Sequence, residues 1–298
     1  MRGSSDLYAN AGRPPAASID LLVAHDGMTL ADAFAYDAKN NGQSWPFGPS
    51  GGGTDNDLAS SHGGDPAQQR AAARAAFVLA TVSAGVPMIT GGDERLRTQR
   101  GNNNPYNLDS PGIWLDWKPE AKADAFTELA RRALRLAHRA LRPALHWREP
   151  GDAKGTQVTW LRDDGQPADA AYLDATARHF LAWSLDGTSL GDDARAILVM
   201  YNSAAGPTTM TLPAAPPGTS WMLAGDTSEA AELARADGGD CGHRRDVRAG
   251  PAKRGRAGRE IGDRDRRVLR GWCRWCCPAH PSSSSRSRRR RCRRSVDR

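Results

Sequence analysis

Apolar and polar residues alternate along the first half of the chain in blocks of two lengths. Ser18–Ala24 is a short apolar run closed by the polar pair His25-Asp26 and then Gly27; this predicts a buried strand with polar groups at its C-terminal end. Residues 37–64 are rich in Gly, Asn, Ser, Asp and Pro and predict a long loop, a length that in compact domains is functional or disordered. Asp65-Pro66, with Gln68 three residues after Asp65, is a helix start with cap, first-position proline and capping box. That helix is expected to run to about Ser83. Gly85 ends it, and Val86–Thr90 is a second apolar run closed by Gly91-Gly92-Asp93-Glu94. The order is strand, loop, helix, strand, with charge after both strands.

A further polar loop leads to residues 122–141, where Phe126, Leu129, Ala133, Leu136, Ala137, Ala140 and Leu141 recur at helical spacing and predict an amphipathic helix. Beyond Pro143 the period shortens. Gln157–Leu161, His179–Trp183, Ala196–Tyr201, Thr208–Leu212 and Trp221–Leu223 are separated by Asp-Gly, Gly-Pro and Pro-Pro turns, the pattern of a small antiparallel β domain.

Charge separates the C-terminal end from everything before it. Residues 241–298 hold 20 Lys+Arg against 5 Asp+Glu, so the overall +7 divides into +15 there and −8 in residues 1–240. All five cysteines lie in the same end, which leaves the body without a disulfide or thiolate metal site. No run approaches 18 consecutive apolar residues, and no basic-then-apolar leader opens the chain; the expectation is a cytoplasmic protein without membrane contact, periplasmic or secreted if a signal peptide preceded this sequence. The last 58 residues carry 19 arginines and the low-complexity run Ser282–Arg294. Too poor in aliphatics to bury a core, they are expected to be disordered. Their Arg, Ala, Gly, Ser and Cys bias is also that of a GC-rich gene read out of frame. Arginine runs bind phosphate through counterion release, but the acidic body argues against a specific nucleic-acid partner. Cys273 and Cys276 make half of a zinc site whose other half is missing, so no metal and no cofactor are expected.

Carboxylates at two strand ends of a βαβ arrangement suit catalysis, because parallel barrels keep their active sites at the C-terminal face. Loop capping and salt-bridging account for such pairs equally well. The words around them carry more. Ser18-Ile-Asp-Leu-Leu-Val-Ala-His-Asp-Gly-Met-Thr-Leu30 resembles the strand-7 region of glycoside hydrolase family 13 debranching enzymes, and Gly85-Val-Pro-Met-Ile-Thr-Gly-Gly-Asp-Glu94 resembles their strand-8 region. Arg97–Ser110 and Trp114-Leu-Asp-Trp117 follow in the family's order. Asn40–Gly53 and Tyr106-Asn-Leu-Asp-Ser110 are closer to bacterial isoamylase than to the glycogen debranching protein. Arg95 departs from the aromatic or small apolar residue usual after Asp-Glu.

The resemblance, over about residues 3–228, implies the last quarter of a (β/α)8 TIM barrel (1–145), then an antiparallel β-sandwich C-terminal domain (146–230), with a disordered Arg-rich tail (231–298) outside it. It implies hydrolysis of α-1,6 branch linkages of glycogen and amylopectin by a parent enzyme, and a fragment that is inactive alone. Asp26 matches the family's transition-state-stabilising carboxylate, while the nucleophile and the acid belong to strands absent here. His25 is implied to bind the same sugar, and Asp93 and Arg97 to bind substrate. Trp45 and Phe47 either stack on sugar rings or pack under their loop. A non-catalytic glucan-binding protein is the alternative.

Overall fold

The computed structural model describes residues 1–134, 141–143, 145–147, 156–188, 194–204, 206–227, 266–269 and 273–279, with backbone alone for 222–224 and the last two segments. The elements are α1 (Ser5–Tyr8), β1 (Ile19–Asp20), α2 (Leu30–Ala33), α3 (Pro66–Val82), β2 (Val86–Pro87) and α4 (Ala121–Leu134), then β3 (Val158–Leu161), α5 (Ala170–Leu173), β4 (Phe180–Asp186), β5 (Ala196–Asn202), β6 (Thr208–Thr211) and β7 (Ser220–Asp226), and finally β8 (Arg266–Leu269) and β9 (Cys273–Ala279).

Asp65 caps α3 by accepting the Ala67 N–H at 2.9 Å, with Pro66 in the first turn. Such a cap supplies a partner for an N–H that the helix itself cannot satisfy. The buried face of α3 carries Ala71, Ala72, Ala73 and Ala75 with Phe77, Val78 and Val82, and α4 packs against it. Phe77 meets Phe126 of α4 edge to face at 5.5 Å between ring centroids. Phe126, Leu129 and Ala133 are all buried, as their spacing requires; Leu136, Ala137 and Ala140 of the same expected helix lie outside the described residues.

β1 and β2 pair in parallel, Ile19 opposite Val86 and Asp20 opposite Pro87, with α3 between them in sequence. The expectation of two buried strands over 18–24 and 86–90 is corrected here. Each strand is two residues long, and Ile19, Leu21, Leu22, Val86, Met88 and Ile89 are all exposed large hydrophobics. A two-stranded pair can shelter only the face that α3 covers.

The β region is a five-stranded sheet of order β3-β4-β5-β9-β7, antiparallel throughout, and a two-stranded sheet, β6-β8. Side chains of β5 alternate between two cores: Ile197 and Val199 join Phe77, Val78 and Phe126 under the helices, while Leu198 and Met200 join Met210 of β6. Both faces of this strand are therefore covered, which is why Ala196–Tyr201 reads as an unbroken apolar run. Arg74 of α3, buried, donates from Nε to the Thr227 carbonyl at 2.8 Å and ties the helix to the end of β7.

Disorder throughout 231–298 is also corrected: Cys273–Ala279 pairs with β5 on one side and β7 on the other, and Arg266–Leu269 pairs with β6. Low complexity denies a segment its own core, but a strand inserted between two others gains main-chain hydrogen bonds whatever its composition. The other residues of that range, Cys241 and Cys292 among them, lie outside the described ones.

Candidate functional site

Past β1 and β2 the chain leaves through two loops that interlock. The first turns at His25–Gly27, with the Gly27 N–H on the Ala24 carbonyl at 3.2 Å, and enters α2 through Thr29, whose side chain accepts the Asp32 N–H. The second turns at Thr90–Asp93, the Asp93 N–H on the Thr90 carbonyl at 3.0 Å. At Gly92 φ is +96°, and a side chain there would begin 2.6 Å from Leu115 Cδ2 and 2.9 Å from Arg97 Cδ. The left-handed backbone is what favours glycine there.

His25 and Asp26 are exposed. Among the described residues neither side chain has a hydrogen-bond or ion-pair partner. Asp57, at the end of the long loop, lies against the same turn, its Oδ1 3.7 Å from where a Cβ on Gly27 would stand. No short motif marks Asp57 as part of this site.

Asp93 is different. It is 2% exposed, and its Oδ1 accepts the Leu30 N–H at the start of α2 at 3.0 Å. Burial raises its pKa from 3.8 to about 6, against the opposing pull of the Leu30 N–H and the Arg97 charge. The Asp93 carboxylate is thus enclosed and engaged by the protein's own backbone. The cavity beside it, about 10 Å³ and walled by Leu22, Phe77 and Met88 among others, has room for about one water. Arg97 is half-buried, and its Nε is shielded from solvent with no hydrogen-bond partner among the described residues.

The Asn102–Asn104 run is consumed in holding the two loops together. Asn41 and Asn103 bond reciprocally, Nδ2 to Oδ1 at 2.9 Å and N–H to Oδ1 at 3.0 Å. Asn103 Nδ2 also reaches the Thr54 carbonyl and Asp57 Oδ2, both at 2.8 Å. Asn102 Nδ2 donates to the Phe47 carbonyl at 2.7 Å, and Asn104 Nδ2 to Gly51 at 2.6 Å. The loop over 37–64 is thus ordered by amides rather than by an apolar core. Phe47 packs beneath Arg100, whose guanidinium carbon lies 4.3 Å from the ring centroid, whereas Trp45 is exposed. Asp32, buried, accepts from Thr98 Oγ1 and from the Gln99 N–H at 2.7 Å, and burial raises its pKa too.

Among the described residues no cluster of His, Cys, Asp or Glu has the geometry to hold a metal ion, and no helix is long and apolar enough to cross a membrane.

Residues 157–240 match the family described as "Isoamylase, C-terminal". The isoamylase of Flavobacterium sp is 49% identical over 231 residues, covering 76% of this chain and 30% of that protein. The isoamylase of Pseudomonas amyloderamosa is 41% identical over 234 residues, covering 76% and 29%. A glycogen debranching enzyme of Klebsiella pneumoniae subsp. pneumoniae is 34% identical over 179 residues, covering 56% and 26%. The chain thus spans about 30% of the length of the curated relatives it matches. Among solved structures, the pullulanase of Anoxybacillus sp. LM18-11 complexed with maltotetraose superimposes with a TM-score of 0.53 at 15% identity, over 93% of this chain and 29% of that one. The pullulanase of Paenibacillus barengoltzii in complex with maltohexaose and α-cyclodextrin gives 0.51 at 20% identity, over 89% and 30%. At these identities the likeness is one of fold.

Proposed function

Since this chain belongs with the isoamylase and glycogen-debranching enzymes of glycoside hydrolase family 13 and matches their C-terminal part, we propose that it is the C-terminal section of an enzyme that hydrolyses α-1,6 branch linkages in glycogen and amylopectin. In this reading residues 1–145 close a (β/α)8 barrel whose earlier strands are not in this sequence, and residues 146–230 form its C-terminal β domain. The exposed apolar residues in and just after β1 and β2 support it: they are side chains that neighbouring barrel strands and a barrel interior would cover.

The observation that carries the proposal is the exposed His25-Asp26 pair in the turn that follows β1 of a parallel β1–α3–β2 unit, within a sequence 49% identical to an isoamylase. A retaining glycosidase uses a carboxylate nucleophile and a carboxylic acid about 5 Å apart, with an oxocarbenium-like transition state between them. By resemblance both belong to earlier strands. Asp26 is the remaining carboxylate, accepting hydrogen bonds from hydroxyls of the sugar at the cleavage point more tightly as its ring flattens, which is transition-state binding. His25 donates to the same sugar. Arg97 keeps its proposed substrate role, with guanidinium donors suited to hydroxyl recognition.

Two measurements test this. The purified 298-residue chain, incubated with glycogen or amylopectin, should release no reducing ends, and clear debranching would reject the division of the site. In the longer enzyme, Asp26→Asn should lower kcat by about a hundredfold or more while leaving the thermal unfolding midpoint unchanged. Near-normal turnover would reject the role given to Asp26.

A further inference from the structure

We infer that Asp93 is a positioning residue for Asp26: its buried carboxylate clamps the turn that carries Asp26 onto the loop that follows β2. The turn is held on both flanks by residues of that second loop. On one side Thr90 Oγ1 donates to the Val23 carbonyl at 3.5 Å, and on the other Asp93 Oδ1 accepts the Leu30 N–H at 3.0 Å. Asp26 lies between Val23 and Leu30, three residues after one tie and four before the other. Met28, in the same span, is buried.

Of the two ties, the one through Asp93 is shorter and wholly enclosed. Leu30 is the first residue of α2, whose first-turn N–H groups lack partners within the helix. A carboxylate from another loop supplies one, so the start of α2 and the turn before it are fixed relative to β2. A hydrogen bond sealed from water keeps its strength, and losing it leaves a buried N–H unsatisfied.

The same enclosure makes the clamp sensitive to pH. Arg97 and Glu94 face Asp93 from its own loop. Leu22 after β1, Met88 after β2 and Phe77 of α3 line the adjoining cavity. From α2 comes the Leu30 N–H; the next carboxylate there, Asp32, is engaged by Thr98 and Gln99. Burial is the largest influence and raises the Asp93 pKa to about 6. Protonation replaces a charged acceptor by a weaker neutral one.

The clamp is tested in the chain as it exists. Asp93→Ala should speed amide hydrogen exchange over residues 24–30 by roughly tenfold while α3 amides keep their protection. Asp93→Asn, which still turns an oxygen toward Leu30, should restore most of it. In the unsubstituted protein the Leu30 amide resonance should titrate with a midpoint near pH 6, and in Asp93→Asn it should not. Unchanged exchange over 24–30, or a parallel rise across α3, overturns the inference. If Asp93→Ala does not fold, a Leu30 resonance that stays flat through pH 6 overturns it instead.

The catalytic consequence rests on the reading of Asp26 above. In the longer enzyme Asp93→Ala should cost about a hundredfold in kcat, with KM held within about twofold, because misplacement of a transition-state group by about 1 Å has that effect. Full kcat in Asp93→Ala, alongside lost turnover in Asp26→Asn, would reject the positioning role and leave Asp26 standing.

Discussion

Asp93 links burial to pH at the scale of one side chain. Its folded pKa, about 6, lies above the ordinary 3.8, so the folded chain holds a proton that the unfolded chain releases between those values. Its contribution to stability is therefore greatest below about pH 4, declines as pH rises to 6, and is level above that. The ceiling on this cost is about 3 kcal/mol for a shift of this size. Asp93→Asn should flatten that part of the stability profile and raise the midpoint of urea unfolding at pH 7.5, as a pH series of denaturation curves would show. A buried charge retained at a cost in stability is the signature of a group held in place for function. Glu128 has the opposite sign. Hydrogen bonds from Arg131 and then Arg132 hold its carboxyl near 2, so its contribution is present above the ordinary carboxylate value and fades as pH falls toward 2. Being a surface pair, it is worth about 0.5 kcal/mol. Asn103 is the third case. Asn103→Ala removes bonds to Asn41, Thr54 and Asp57 at a fully buried position, and should lower stability by about 2–3 kcal/mol in denaturant titration. His25-Asp26 and the glycines were readable at this scale. Which carboxylate faces solvent was not, because Asp26 and Asp93 both follow short apolar runs and only packing buries one of them.

Elements were legible where local chemistry specifies them. Asp65-Pro66 starts α3 and the spacing of Phe126, Leu129 and Ala133 marks α4, since caps and periodicity act within one or two turns. Asp65→Ala should accordingly cost about 1 kcal/mol, visible as a lower thermal midpoint with an unchanged far-UV spectrum. Phe126→Ala removes the edge-to-face partner of Phe77 at the junction of α3, α4 and the five-stranded sheet, and should cost about 3–5 kcal/mol. The strands β3 to β7 fell close to their apolar runs for the same local reason. β1 and β2 came out shorter than their runs because a strand lasts only as long as its hydrogen-bonded neighbour. That neighbour is a tertiary fact.

For the molecule as a whole, the exposed apolar residues in and after β1 and β2 and the inserted strand β9 have the largest consequences. Ile19 of β1 and Val86 of β2, with Leu21, Leu22, Met88 and Ile89 just past the strands, are exposed apolar side chains and an association hazard. The isolated chain should therefore show concentration-dependent light scattering that falls when Ile19, Met88 and Ile89 are replaced by serine. β9 stands between β5 and β7, so a chain ending at Asp240 would leave two unpaired edges and should melt at a lower temperature; an unchanged midpoint would show that the tail adds nothing to the sheet. The sequence by itself determined the helices α3 and α4, the antiparallel strands and the carboxylates after two strands. Each depends on residues a few positions apart along one backbone. Tertiary structure alone decided that Asp26 is free and Asp93 enclosed, that the Asn102–Asn104 run ties two loops 53 to 62 residues apart, and that part of the basic tail enters a sheet. Burial and pairing depend on what lies across a gap in space, and no local pattern carries that information.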